Sequence, residues 1–305
     1  MKGTEQMRRL VLVSLIAAAM SSPAAAQPGR SNRIYISADM EGVGGVVTPF
    51  QADRTRPEWE RFRKFMTEEV LAAIAGARDA GATEFVVSDS HGSMENLLIE
   101  MLPEGTRLVR SRPRPLSMME GVDASFGGVV YVGYHASANT EAAVLAHTIR
   151  GAIGIRDLRI NGMSVPEGGW NAAIAGHFGV PVVAITGDQT VCKQVRDIVG
   201  PIETAVVKEA GGVFSAVVMP PSESQKLIRE KVKAAVARLS SFKPYVVKTP
   251  VTVEIEMGKT ADAEIWSWMP GFTRTRNTIR YTAKDMVEAA KIFNVIVSAN
   301  GYDAY

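Results

Sequence analysis

The sequence predicts an α/β protein in which helices sandwich a largely parallel sheet, with a smaller α+β lobe at the C-terminus. Segments with a strand pattern alternate with segments whose apolar residues recur at helical spacing. The strand segments are almost continuously apolar, as at residues 85–87, 129–132 and 182–185. Strands of this kind are buried on both faces, which is typical of parallel sheets covered by helices.

Local signals place the elements of the main domain in order. Pro57 suits the first turn of a helix and Gly81 suits its C-terminal cap. Asn161-Gly162, between two short apolar runs, predicts a tight hairpin turn. The predicted strands are residues 33–38, 84–89, 128–134, 158–160, 163–165, 180–186 and 205–208. The predicted helices are residues 57–79, 95–101, 168–178, 189–199 and 222–239.

A change in composition predicts a domain boundary near the end of the long helix at residues 222–239. Residues 240–244, Ser-Ser-Phe-Lys-Pro, break the helical pattern. We therefore predict an α/β domain at residues 27–243, which would hold the metal-binding and hydrolytic residues considered below, and a C-terminal lobe at residues 244–305. The lobe should contain a strand at residues 251–257 and helices at residues 259–264 and 283–293.

The first 26 residues have the pattern of a secretory signal peptide. A positively charged start precedes the apolar residues 10–20 and the small-residue sequence Ser22-Pro23-Ala24-Ala25-Ala26. We expect cleavage near Ala26 and a secreted or periplasmic mature chain, with a retained N-terminal anchor as the alternative. The apolar run is short for a bilayer span, and we expect no membrane span in the mature chain.

The charge and cysteine counts narrow the possible functions. Removing residues 1–26 takes away three of the 34 basic and one of the 32 acidic residues, which leaves 31 of each. A neutral chain lacks the basic surface that nucleic-acid binding requires, so no nucleic-acid partner is expected. Cys192 is the only cysteine, which excludes an internal disulfide and a cysteine-based zinc site. A metal site must therefore use histidine and carboxylate ligands.

Polar side chains suited to metal binding follow four of the predicted strands. Asp39 and Glu41 end the first strand two residues apart, so an extended backbone points both to the same side. His91, His135 and Asp188 follow later strands. Ligands of such sheets bind beyond the carboxyl ends of the strands, and this mixture of ligands suits zinc or a similar divalent ion. Asp188 could instead cap the next helix.

Two further residues are candidates for the same site. His147 comes twelve residues after His135 and lies among apolar neighbours. We interpret it as a catalytic base or electrostatic stabiliser, with a partly buried structural histidine as the alternative. Glu167 precedes a helix and is either a further ligand or a favourable charge at the helix N-terminus. His177 suits the C-terminus of that helix and is left out of the site.

Several short segments are each weak evidence for a family when taken alone. Their order along the chain makes the whole series specific. They are Ser-Ala-Asp-Met-Glu-Gly at residues 37–42, Ser-Asp-Ser-His-Gly at 88–92, Gly-Tyr-His-Ala at 133–136, Leu-Ala-His-Thr at 145–148, Asn161-Gly162 through Glu167 to Asn171, Gly-Asp at 187–188 and Met-Pro-Gly at 269–271. Over residues 33–295, this series resembles the zinc-dependent D-aminopeptidase family.

The resemblance implies two zinc ions per chain and a role for each candidate residue. Asp39 would bridge both metals. The other ligands would be Glu41 and His91 at one metal and His135 and Glu167 at the other. His147 would be the catalytic histidine. Members of the family are self-compartmentalising di-zinc aminopeptidases, so the resemblance also implies a homo-oligomer, which could be ring-shaped.

The function predicted from these observations is an exported di-metal aminopeptidase. It would hydrolyse N-terminal residues, D-amino acids among them, from short peptides by metal-activated water. Zinc is the default metal for such ligands, although manganese or cobalt would also fit.

Two alternatives stay open: another two-metal amidohydrolase or phosphoesterase, and a non-catalytic exported solute-binding protein. Phosphate chemistry would favour arginine or lysine near the strand ends. Arg110, Arg112 and Arg114 are the possible source, in a Pro/Arg-rich segment at residues 103–115 that otherwise predicts a solvated loop.

Overall fold

The computed structural model describes residues 31–149 and 154–299. The predicted signal peptide, residues 1–26, lies outside the described residues. Within them, no helix is both long enough and apolar enough to cross a membrane.

The strands are β1 (Arg33–Ala38), β2 (Glu84–Asp89), β3 (Thr106–Val109), β4 (Gly128–Tyr134), β5 (Ile155–Ile160), β6 (Met163–Ser164), β7 (Val182–Asp188), β8 (Glu203–Gly212), β9 (Ser215–Val218), β10 (Val251–Met257), β11 (Thr273–Thr275) and β12 (Thr278–Ala283).

The helices follow the predicted alternation with the strands. They are α1 (Pro49–Ala52), α2 (Glu58–Asp79), α3 (Glu167–His177), α4 (Gln189–Val199), α5 (Pro221–Val236), α6 (Thr260–Ser267) and α7 (Met286–Ser298). Asp188 caps α4 by accepting hydrogen bonds from the amides of Thr190 and Val191. Asp285 caps α7 in the same way through the amide of Glu288.

The main sheet has the strand order β3-β2-β1-β4-β7-β8-β9. All its neighbouring strands are parallel except for the last pair, β8 and β9. Helices α2 and α5 pack together over one face, whereas α3 and α4 pack on β4, β7 and β8 from the other. Strands β4 and β7 are buried along their whole length, as their apolar sequences predict.

The second sheet is antiparallel and has the order β11-β12-β10-β5-β6. Strand β10 alternates buried and half-buried residues, because one face packs under α6 and α7 and the other is more open. Strands β5 and β6 come from residues 155–164, so this sheet is not built from the predicted lobe of residues 244–305 alone. Helix α7 also packs on α3 and joins the second sheet to the first.

The α/β fold class is confirmed, and β1, β2 and β4 have their predicted bounds. The hairpin turn is also confirmed, because Asn161 and Gly162 both have positive φ angles. The helix predicted at residues 95–101 is wrong, since the structure has a 3-10 turn at Ile99–Met101. Strands β3, β9, β11 and β12 were not predicted. Strands β3, β9 and β11 are short and lie at sheet edges, where burial imposes little apolar pattern. Strand β12 alternates buried and exposed residues, a pattern that the prediction missed.

The chain order reverses direction at β1, which has β2 on one side and β4 on the other. The crevice beyond the carboxyl ends of β1 and β4 is therefore the topological switch point of the sheet, where ligands of such folds bind. The loop after β1 crosses the end of β4 closely: the amide of Gly42 donates to the carbonyl oxygen of Gly133 at 2.7 Å. A Cβ atom on Gly42 would lie 1.9 Å from the carbonyl oxygen of Tyr134, so the approach requires glycine.

Candidate metal centre

Six residues predicted for the site meet at this crevice. They are Asp39 and Glu41 after β1, His91 after β2, His135 after β4, His147 in the following loop, and Glu167 at the start of α3. Their ligand atoms form three groups, in each of which the atoms lie within 4.8 Å of one another. The groups are Asp39 with Glu41 and His91, Asp39 with His135 and Glu167, and Glu41 with His135 and His147.

Asp39 belongs to two of these groups through its two carboxylate oxygens. Oδ1 lies 3.3 Å from Nδ1 of His91, and Oδ2 lies 3.5 Å from Nε2 of His135. The side chain is almost completely buried and accepts a hydrogen bond from the amide of Met40. A carboxylate with one oxygen towards each group has the arrangement of a ligand shared by two metal ions.

His91 is oriented by the backbone of α1. Its Nε2 lies 2.8 Å from the carbonyl oxygen of Ala52, which can only accept, so Nε2 carries the hydrogen. In the neutral ring, Nδ1 therefore holds a lone pair. This nitrogen lies 2.9 Å from Oε2 of Glu41 and 3.3 Å from Oδ1 of Asp39.

His135 and His147 repeat this arrangement. His135 donates from Nδ1 to the carbonyl oxygen of Ala136, and His147 donates from Nδ1 to that of Leu145. The two rings stack with centroids 3.9 Å apart. Nε2 of His135 lies 3.2 Å from Oε1 of Glu167, and Nε2 of His147 lies 3.9 Å from the same atom.

The donor set fits a cation. Three imidazoles each use one N–H on a backbone carbonyl and point the other nitrogen at buried carboxylates, which can only accept hydrogen bonds. Lone pairs facing carboxylates repel unless a proton or a metal ion lies between them. Histidine and carboxylate ligands around such a position suit zinc.

The pKa shifts of the site residues also indicate that positive charge stabilises this cluster of carboxylates. Burial and the carboxylate of Glu41 raise the pKa of Asp39 to about 7. Burial opposes ionisation of Glu41 as well, but the charge of His91 outweighs it and holds the pKa of Glu41 well below its usual range. Burial lowers and Glu167 raises the pKa of His135, with a net rise to about 10. Burial and the neighbouring His135 lower the pKa of His147.

Hydrogen bonds hold the loops that carry these side chains. Asp89 accepts from the amide of Asn96 and from its side-chain Nδ2, and that Nδ2 also donates to the carbonyl of His91 at 2.7 Å. Asp89 thus supports the loop, whereas the ring of His91 is oriented by Ala52. Asp188 caps α4 and also accepts from the amide of Val144 at 2.8 Å, close to His147. The alternative in which Asp188 is a helix cap therefore agrees with the structure.

The site lies in a cleft of about 250 Å³. One wall comes from the segment before β4 and includes Arg112, Arg114 and Met118. Asn294 and Val297 of α7 line the cleft beside this segment, since Nδ2 of Asn294 donates to the carbonyl oxygen of Arg114. Sequence patterns gave no signal for Met118, Asn294 or Val297, since these residues are distant from the ligands along the chain and carry no metal-ligand signature.

The two arginines of this wall are less exposed to solvent than the predicted solvated loop implies. Arg114 is 6% exposed and donates to Oγ of Ser88 at 3.0 Å and to the carbonyl oxygen of Asp89. Its guanidinium is therefore tied to the end of β2. His177, which the sequence left out of the site, is exposed and packs edge-on against Phe178.

The model of the D-aminopeptidase family, peptidase family M55, matches residues 32–295. The chain belongs to this family. The predicted peptide hydrolase is therefore confirmed at the level of the family, and the match favours an aminopeptidase over the phosphoesterase and solute-binding alternatives.

A curated sequence and a solved structure from this D-aminopeptidase family agree with the assignment. The D-aminopeptidase of Bacillus subtilis (strain 168) is 34% identical over 259 residues, which are 84% of this chain and 93% of the relative. A solved structure, described as the Zn-dependent D-aminopeptidase DppA from Bacillus subtilis, a self-compartmentalizing protease, superposes with a TM-score of 0.85. It is 33% identical, and the match covers 90% of this chain and all of that one.

Proposed function

We propose that the chain is an exported, di-zinc aminopeptidase that removes N-terminal residues, D-amino acids among them, from short peptides. The observation that carries the di-metal proposal is the position of Asp39, whose two oxygens belong to two separate ligand groups. Family membership and the description of a relative as zinc-dependent support the choice of reaction and of metal.

The proposed ligands follow from the two groups that share Asp39. Glu41 and His91 would complete one site, and His135 and Glu167 the other. Zinc bound there would lower the pKa of a water molecule and polarise the peptide carbonyl. The chain supplies these carboxylates and imidazoles in a buried setting, already gathered within 4.8 Å of one another in each group.

His147 is the proposed proton carrier. Burial and His135 lower its pKa, so the ring is neutral near pH 7 and can accept a proton at Nε2. Nδ1 donates to the carbonyl of Leu145 at 2.8 Å, which fixes the tautomer. The side chain stays 25% exposed, so Nε2 can take a proton from the attacking water and deliver it to the leaving amine.

The cleft supports short peptides as substrates. Its volume of about 250 Å³ lies below the roughly 300–1,000 Å³ of sites for drug-sized ligands. Met118, Ile149 and Val297 contribute apolar lining next to the charged groups. A small apolar side chain beside the scissile bond would fit this lining, so alanyl peptides are the first substrates to assay.

Export rests on the signal-peptide pattern of residues 1–26. The test is the intact mass of the protein from a periplasmic or culture fraction of a cell that expresses the full chain. A mature N-terminus at or near Gln27 is expected. An uncleaved chain retained with the cells would contradict export.

The experiment that tests the proposed function measures metal content and turnover together. Wild-type protein should hold close to two zinc ions per chain and hydrolyse D-Ala-D-Ala. Asp39→Asn should lose zinc and activity while its circular dichroism spectrum persists. Asp197→Asn is the matched control, because Asp197 is exposed on α4 and pairs with Lys193 far from the site. Wild-type protein without stoichiometric metal, even after incubation with zinc, would overturn the proposal.

A further inference from the structure

A buried lysine lies beneath the loop that carries Glu41. Lys208 of β8 is 1% exposed. Its ammonium donates to the backbone carbonyl oxygens of Glu41, Val43 and Val46, with 3.0 Å between Nζ and the oxygen of Val43. An ammonium has three N–H donors, and these three carbonyls accept all of them.

The same loop is also held by a buried carboxyl group. Oε1 of Glu69, on α2, accepts the amide hydrogen of Gly44 at 2.9 Å. A Cβ atom on Gly44 would lie 2.8 Å from this oxygen, so the backbone is pressed against the carboxylate. The carbonyls of the loop are thus held by the Lys208 ammonium, and one of its amides is held by a carboxyl oxygen of Glu69.

The partners of Lys208 suggest what it does. Burying an ammonium is costly unless its hydrogen bonds are satisfied, and an apolar side chain of similar size would fill the same space without that cost. Among the residues that the structure describes, the ammonium hydrogen-bonds to the loop after β1 and to nothing else. This loop includes Glu41, whose side chain lies 2.9 Å from Nδ1 of His91.

We infer that Lys208 is a positioning residue for the metal centre: by holding the carbonyls of residues 41–46, it sets the place of the Glu41 carboxylate opposite His91. The inference rests on the proposed metal site. Residues that orient metal ligands without touching the metal typically change metal affinity about 10–100-fold when they are replaced. Lys208 would act in this way through the backbone.

The test measures metal affinity. Zinc dissociation constants are determined by competition with a chromophoric chelator for the wild-type chain, Lys208→Met and the control Lys231→Met. Methionine fills a similar volume but donates no hydrogen bond. Lys231 is a lysine on α5 whose side chain is 41% exposed and pairs with Glu203. We expect zinc to bind about 10–100-fold more weakly to Lys208→Met and equally well to the control.

A spectroscopic signature separates positioning from general support of the fold. With cobalt(II) in place of zinc, the visible absorption bands report the ligand geometry. Lys208→Met should change the intensity or position of these bands, whereas a merely structural residue would lower the melting temperature and leave them as in wild type. Unchanged zinc affinity and unchanged cobalt bands in Lys208→Met would overturn the inference.

Two further outcomes are decisive. Lys208→Gln, whose amide offers two N–H donors, is the second variant if methionine prevents folding, and it should show a smaller loss of affinity. If both variants stay unfolded in excess zinc, Lys208 belongs to the fold and the inference is wrong. Wild-type protein that binds no metal would instead contradict the proposed function itself.

Discussion

At the scale of single residues, the site depends on the different partners of the two ring nitrogens in each histidine. One nitrogen donates to a backbone carbonyl, and this bond sets both the tautomer and the ring plane. The other nitrogen points towards carboxylates that bear negative charge. Ring orientation therefore comes from the main chain, so metal binding would not have to supply it.

His147 provides the first prediction. It is in contact with His135 but does not belong to either group that shares Asp39. His147→Ala should therefore keep most of the zinc and reduce the turnover of D-Ala-D-Ala by about 10²–10⁴-fold. His177→Ala, at the exposed fourth histidine, is the control and should retain wild-type turnover. Equal turnover in both variants would remove His147 from the chemistry.

Glu69 provides a prediction on pH and stability. Burial raises the pKa of its carboxyl from 4.5 to about 7. The folded chain then keeps a proton that the unfolded chain releases, so this group lowers stability as the pH rises from 4.5 to 7. Glu69→Gln removes the titration. Over that interval, we expect the variant to gain about 3 kcal/mol relative to wild type, an order-of-magnitude figure.

The measurement is urea unfolding of metal-free protein at several pH values between 4.5 and 7.5. Glu60→Gln, on the exposed face of the same helix, is the control, and its pH dependence should parallel that of wild type. Parallel curves for Glu69→Gln and wild type would show that the Glu69 carboxyl is already ionised in the folded protein at low pH.

At the scale of elements, the loop between β1 and α1 is the part that makes the site possible. It turns immediately after Asp39 and crosses the end of β4, where the amide of Gly42 bonds the carbonyl of Gly133. This crossing brings carboxylates from β1 next to the imidazole that follows β4. The close approach is possible because neither glycine places a Cβ atom between the two backbones.

Gly42→Ala tests this crossing. A methyl group there would lie 1.9 Å from the carbonyl oxygen of Tyr134, so the loop must move away from β4. We expect a loss of about 3 kcal/mol in stability, measured by urea unfolding, together with loss of zinc. Gly212→Ala is the control, because a Cβ atom at Gly212 would meet nothing within 4 Å. A Gly42→Ala protein with normal zinc content would show that the crossing is dispensable.

At the scale of the whole molecule, the cleft exists because two sheets meet. The ends of the main sheet's strands position most of the ligand atoms, and α7, which packs on the second sheet, supplies part of the lining at Asn294 and Val297. Large apolar side chains also remain exposed among the described residues. They include Phe214, Val217 and Trp268, which are 56%, 77% and 71% exposed. Exposed apolar surface of this kind is common at contacts between protein chains.

Assembly into a homo-oligomer is the corresponding prediction. One relative is described as self-compartmentalizing, and the exposed apolar side chains supply surface for contacts between copies. Light scattering coupled to size exclusion should give a native mass that is a multiple of the chain mass. Dilution over a hundredfold range, with and without zinc, distinguishes a stable assembly from a weak one. A monomer at every concentration would contradict the prediction.

The predictable parts of the fold are those in which burial imposes a pattern on neighbouring residues. Strands β1, β2 and β4 were predicted with their bounds, because both of their faces are covered and each contains a run of consecutive apolar residues. Strands β3 and β11 have half-buried or exposed residues and carried no such pattern. The hairpin and the C-terminal lobe at residues 244–305 were predicted as separate parts of the chain, whereas one sheet combines residues 155–164 with residues 251–283.

By itself, the sequence determined which residue types stand at the ends of the strands, and the order of those ends in a parallel sheet was enough to predict one shared edge. Only the tertiary structure decided the rest: that Asp39 faces two groups, that Lys208 lies under the loop of Glu41, and that α7 lines the cleft. These contacts join residues separated by many positions along the chain. Local patterns do not encode such distances, because packing of whole elements sets them.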